Sequence, residues 1–193
     1  MSIKTIVQGV MDRYVAIETK NAIGSGIILM TSFVLTCFHC LKVDSSISVN
    51  GKEAEIVDID PINDLTLLAI QTEEFEQIPM GEASLGEPVF SIGNPMGLDG
   101  ALLFGRVVFR TDKRVIHDMH GQPGISGSGL FNFEGELIGI NSSVIGQKHI
   151  GSWLTIATPS ENMGKILSNI FLSNIFQVIQ PTLEEIEKYG GAE

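Results

Sequence analysis

Short apolar runs separated by Gly, Pro, Asn and Asp recur along most of the chain. Residues 13–18 (RYVAIE) alternate apolar and polar positions, as a half-buried strand does. Ile27–Met30 and Phe33–Thr36 read as two buried strands joined by a two-residue turn, after a turn-rich link over 21–26. Ser46–Val49 leads through Asn50-Gly51, a strong hairpin signal, into a strand over 53–59. A further buried strand follows the Pro61–Asn63 turn, over Leu65–Ile70. The first segment as a whole, Met1–Thr19, is ambiguous between a short helix and a strand.

Residues 73–87 are polar, with acids at 73, 74, 76, 82 and 87, and predict a crossover. Strands resume at Pro88–Ile92, Leu102–Arg110, Gly129–Phe133, Glu136–Ser142 and Ser152–Ala157. Two groups of short strands with Gly-rich turns predict a pair of small barrels. The period then changes. Met163, Ile166, Leu167, Ile170 and Phe171 recur at helical spacing, with Ser160 as N-cap. Thr182 and Glu185 form a capping-box pattern for a short acidic helix after Pro181. The pattern predicts one domain over 1–193, with barrels at about 10–75 and 85–158 and the helix and acidic tail over 160–193.

A length of 193 residues with 44% hydrophobic positions is enough to bury a core without staples. The formal net charge of −11 excludes the basic footprint that phosphate binding needs, so neither nucleic acid nor an anionic membrane surface is an expected partner. No run approaches membrane-span length and the N-terminus has no apolar leader pattern, which predicts a cytoplasmic protein. The two cysteines, Cys37 and Cys40, are expected to be buried free thiols. Joined with His117 or His120 they lack zinc-site spacing, so no metal and no cofactor is expected.

Three segments carry groups suited to acyl transfer: LTCFHCL around His39, DPINDLTLL around Asp64 and GQPGISGSGLF around Ser126. A serine hydroxyl is a weak nucleophile until an imidazole takes its proton, and that imidazole needs a carboxylate to hold its tautomer. Gly124, two positions before Ser126, allows a sharp turn that brings the Gly124 and Ser126 N–H groups into one cavity as an oxyanion hole. Each residue alone also fits an ordinary structural role. The order His, Asp, Ser is that of chymotrypsin-like enzymes.

These segments resemble the trypsin-like, double-barrel serine proteases, and most closely the HtrA/Deg branch. GSGIIL at 24–29, VLTCFHCL at 34–41, DIDPINDLTLLAI at 58–70, EPVFSIGNPMGL at 87–98, GISGSGLFNFEGELIGIN at 124–141 and WLTIATPS at 153–160 are each similar to a motif of that family. The resemblance implies an all-β fold of two six-stranded antiparallel β-barrels with a C-terminal α-helix. It implies a serine endopeptidase with His39 as base, Asp64 as its orienter and Ser126 as nucleophile, acting on a polypeptide. It also implies a possible homo-oligomer, and either HtrA-like quality control or viral or phage processing. The alternative is an inactive peptide-binding module on the same fold.

Two departures stand out: Ile125 replaces the usual Asn or Asp before the serine, and Ser128-Gly129 the usual Gly-Pro. By resemblance the pocket for the residue before the cut is lined by His120, Asn141, Ser142, Ser143, Val144 and Thr155. His120 occupies the place of a carboxylate in enzymes that cut after Lys or Arg, so a basic residue is not expected there. A small or medium apolar residue is the first expectation, and Gln or Glu read by His120 with Ser143 or Thr155 the second.

Overall fold

The computed structural model describes residues 2–20, 22–41, 46–147, 152–168 and 170. Strands β1 (Tyr14–Thr19), β2 (Ala22–Met30), β3 (Phe33–Thr36), β4 (Ser48–Val49), β5 (Lys52–Glu53), β6 (Glu55–Asp60) and β7 (Leu65–Ala69) form one antiparallel sheet in the order β5-β4-β1-β2-β3-β7-β6. Asn50 (φ +49°) and Gly51 (φ +77°) make the predicted hairpin turn. The second group, β8 (Pro88–Gly93), β9 (Ala101–Arg110), β10 (Val115–His117), β11 (Gly129–Asn132), β12 (Leu137–Gln147) and β13 (Ser152–Pro159), closes into a six-stranded barrel. Closure removes sheet edges. The first sheet stays open, because β5 and β6 do not pair among the described residues.

Residues 21–26 were expected as a link, yet Ala22–Gly26 belong to β2. Gly24 and Ser25 are small enough for the loop around Ser126 to lie against the strand, and the Ser25 N–H donates to the Ser126 carbonyl at 2.8 Å. The ambiguous N-terminus is helix α1 (Ile3–Met11), whose Ser2 cap accepts the Thr5 N–H. Three apolar clusters result among the described residues. One fills each sheet, and the third joins them: Leu29, Leu35 and Leu67 meet Phe90, Phe131 and Ile140. Phe90 stacks on Phe131 and Phe133 at 5.6 and 5.8 Å.

The helical period after β13 holds. Ser160–Met163 form a 3-10 turn that continues as helix over 164–168, and Met163, Ile166 and Ile170 are buried in the shared cluster. Ser160 is not its cap; it sits in the first turn with its hydroxyl on the Gly81 carbonyl. Phe171 and the acidic tail lie outside the described residues. Among the described residues no helix is long and apolar enough to cross a membrane.

Candidate active site

The fully buried strand β3 ends at Thr36, and Phe38–Cys40 turn as a 3-10 helix, which lifts His39 from the sheet. Asp64 arrives from a turn organised by Asp60, whose carboxylate accepts the Ile62 and Asn63 N–H groups and the Asn63 amide. That turn puts Asp64 in the left-handed region at φ +56°. Asp64 then grips the His39 turn at three points. Its carbonyl accepts the Phe38 N–H at 3.1 Å. Its Oδ1 accepts the His39 N–H at 2.9 Å, and its Oδ2 faces His39 Nδ1 at 2.7 Å. With Nδ1 donating to a carboxylate, neutral His39 carries its free lone pair on Nε2.

The loop 122–128 faces this pair. The Gln122 carbonyl accepts the Ile125 N–H at 3.1 Å across Pro123 and Gly124, and Gly124 has φ +99°. Pro at the first inner position and Gly at the second make this a type II turn. No other residue fits at 124: an added Cβ would lie 2.0 Å from the Asn94 carbonyl oxygen. The Pro123 carbonyl accepts the Met96 N–H at 2.7 Å. In a trans peptide C=O and N–H point opposite ways, so this bond aims the Gly124 N–H away from Met96. The Ile125 carbonyl likewise accepts the Ser128 N–H (3.0 Å) and hydroxyl (2.6 Å), which orients the Ser126 N–H. Among the described residues neither the Gly124 nor the Ser126 N–H has a protein acceptor.

Ile125, where the family resemblance expects a polar residue, is 4% exposed and packs over Gly93. Its backbone rather than its side chain holds the turn. Ser126 Oγ donates to the Ser142 carbonyl at 3.2 Å and makes no hydrogen bond to His39. The Cys40 thiol lies between the two segments, 3.9 Å from His39 Nε2 and 3.7 Å from the Ser126 carbonyl.

Beneath the loop lies a buried polar network of Asn141, Ser128, His117 and Ser91, of which only Ser91 was not singled out in the sequence. Asn141 Nδ2 donates to Ser91 Oγ and Ser128 Oγ, both at 3.0 Å. Its Oδ1 therefore accepts from His117 Nε2 at 2.8 Å. Burial pushes His117 down to about 4, so it is neutral at pH 7. Asn141 is thus committed to the core, and its side chain is no pocket wall. Thr155 is buried too, with its hydroxyl on the Met119 carbonyl. Ser142, Ser143 and Val144 keep accessible surface along β12, and His120 is exposed.

The thiols differ. Burial pushes Cys37 up, and it donates to the Asn141 carbonyl at 3.1 Å. Cys40 is drawn down to about 6, by the neighbouring Cys37 thiol first and by His39 as well, against burial. Both cysteines are free. Cys37, His39 and Asp64 bring ligand atoms within 4.8 Å of one another, a set able to surround a metal ion. Such an ion needs the Cys37 thiolate, which burial disfavours, and it competes for the His39–Asp64 bond.

Two open cavities flank the loop. One of 730 Å³ is lined by Thr19, Ile23, Met96, Pro123 and Gly124, and one of 520 Å³ by Asn63, Asp64, Ser142, Ser143 and Arg114.

The chain is similar to known proteins in sequence and in fold. The chain is 30% identical over 159 residues to a probable periplasmic DegP-like serine endoprotease of Halomonas elongata, covering 74% of this chain and 34% of that protein. It is 30% identical over 172 residues to the serine endoprotease DegS of Haemophilus influenzae, covering 78% and 50%. The crystal structure of a serine endoprotease from Yersinia pestis superposes with a TM-score of 0.77 at 26% identity, covering 87% of this chain and 66% of that one. The chain thus spans a third to a half of the length of these two curated relatives. All three proteins are bacterial and the first is named periplasmic, so the expectations of a cytoplasmic location and of viral processing gain no support. The profile of the trypsin-like peptidase domain matches residues 24–140, from the small residues of β2 through His39, Asp64 and Ser126 into β12. That match covers more than half the sequence, and the chain belongs to the trypsin-like peptidase domain family, in its HtrA-type branch.

Proposed function

We propose that the chain is a serine endopeptidase acting on extended polypeptide. Ser126 Oγ turns from the Ser142 carbonyl to His39 Nε2, gives up its proton and attacks a peptide carbonyl. The oxyanion receives the Gly124 and Ser126 N–H groups. His39, held by Asp64, protonates the leaving amine, and then draws a proton from the water that releases the acyl-enzyme. Hydrogen bonds of this kind are often loose in the free enzyme and tighten around substrate, which accommodates the Ser126–Ser142 contact. The observation that carries the reading is the pair of acceptor-free amides in the turn that presents Ser126, beside an imidazole bonded to a carboxylate. Preorganised donors of this type are worth about 10²–10³-fold in rate for one donor.

A fluorophosphonate probe tests it. Label mapped to Ser126, and lost in His39→Ala, is the expected result. An unlabelled protein that still binds peptide would show the non-catalytic module, the reading that the Ser126–Ser142 bond favours. For the cleaved peptide we infer an apolar residue before the cut. His120 supplies no anion for Lys or Arg, and Val144 presents a half-exposed apolar face.

The Asp64 hydrogen bond first, and Cys40 second, raise His39 to about 10. An imidazolium cannot accept the serine proton, so kcat/KM is expected to climb as pH rises through and beyond neutrality. Cys40→Val removes one of the groups that hold the proton on His39. The rising limb should then move to lower pH, and a limb that stays in place or moves up would rule out Cys40 as a partner of the imidazole.

A further inference from the structure

Ser25, on the opposite sheet, reaches the oxyanion turn through more bonds than any motif suggests. It is fully buried in β2. Its hydroxyl donates to the Gly124 carbonyl at 2.7 Å and accepts the Asn94 N–H at 3.0 Å. Its own N–H donates to the Ser126 carbonyl at 2.8 Å, and its carbonyl accepts the Thr36 hydroxyl at 2.7 Å. The Gly124–Ile125 peptide lies between the two peptides that present the acceptor-free amides. The Pro123–Gly124 peptide is held by Met96 and the Ile125–Ser126 peptide by Ser128. The carbonyl of the middle peptide takes only the Ser25 hydroxyl among the described residues.

We propose that the Ser25 hydroxyl is a positioning residue for the reaction, a clamp from the first sheet that keeps the Gly124 and Ser126 amides converged on the oxyanion. It rests on the proposed protease reading. A type II turn differs from its type I counterpart by rotation of the central peptide. Here that rotation would withdraw the Gly124 N–H from the cavity. The bonds to Met96 and Ser25 resist it from either side of Gly124. Ser25 also joins the turn to Asn94, so one hydroxyl ties the two segments that flank Gly124. Without it the Gly124 carbonyl and the Asn94 N–H are both left unsatisfied in a buried place, a situation that peptide rotation or local shift relieves.

Ser25→Ala tests this. Active sites are first counted with the fluorophosphonate probe, so that kcat is expressed per competent molecule. The expected result is a fall in kcat of about 10–10²-fold, less than removal of a whole donor, with KM changed by less than about twofold. Ser25→Thr keeps the hydroxyl and should recover most of kcat. A merely structural role would lower the fraction of competent sites and leave kcat per site as it was; that result overturns the proposal. A second readout needs no activity. The amide resonances of Gly124, Ile125 and Ser126 should shift in Ser25→Ala, and unmoved resonances overturn the proposal also. Wild-type protein that is not labelled at Ser126 defeats the protease reading instead, and the resonances then decide the clamp alone.

Discussion

Ser126→Ala is expected to lower kcat on a denatured-protein substrate by about 10⁶-fold, the loss seen when one member of such a catalytic unit is removed. The size follows from the division of labour. His39 and Asp64 act on the substrate only through the serine hydroxyl, so its removal silences all three together. The oxyanion amides remain, and a residual rate above water should persist. Folding should scarcely change. The lost hydroxyl makes a single hydrogen bond, to the Ser142 carbonyl, and such a bond contributes about 1 kcal/mol net. The measurement is proteolysis of reduced, unfolded casein beside a melting curve. Activity retained in a normally folded variant would remove Ser126 from the mechanism.

Asp64→Asn should cost about 10⁴-fold in kcat with the fold intact. Asn suits the site sterically, because it tolerates the left-handed backbone found at φ +56°. Its carbonyl oxygen can still accept the His39 N–H, the role Oδ1 has now. The other position changes sign. Where Oδ2 accepts from His39 Nδ1 at 2.7 Å, the variant offers an NH₂, and two donors cannot share that bond. Nδ1 must become the acceptor, so the proton moves to Nε2 and the lone pair that should receive the Ser126 proton is gone. Asp64→Ala separates the two roles, since it also frees the His39 N–H and loosens the turn. The asparagine variant should therefore melt closer to wild type than the alanine variant while being comparably inactive. An Asp64→Asn enzyme with more than a tenth of wild-type kcat would rule out Asp64 as the orienter.

Ile125 shows how backbone replaces side chain at this site. A polar residue there was the family expectation, yet the Ile125 carbonyl takes two donors from Ser128 and its N–H closes the turn on Gln122. The apolar side chain packs over Gly93. Ser128, the second departure, supplies both donors, and its hydroxyl is the one that a glycine there would lack.

The strands, the two-group organisation and the three segments bearing His39, Asp64 and Ser126 were legible because each is a local signal. Alternating burial, Asn-Gly at a hairpin and Pro-Gly before the serine act within a few residues, and backbone sterics read them wherever they occur. The long-range partners were not legible. Nothing near Ser25 marks it as a partner of Gly124, 99 residues away. The same holds for Asn141, expected beside substrate and found in the core with His117 and Ser91. Cys40 looked like a simple buried thiol, and its contact with Nε2 arises from the 3-10 turn.

The linear order of residues by itself determined which groups are available for chemistry and where the chain must turn, since φ-restricted Pro, permissive Gly and apolar periodicity act locally. Only the tertiary structure decided which carbonyls are tied off and which amides stay free. Those bonds join segments tens of residues apart, and burial against the opposite sheet selects them.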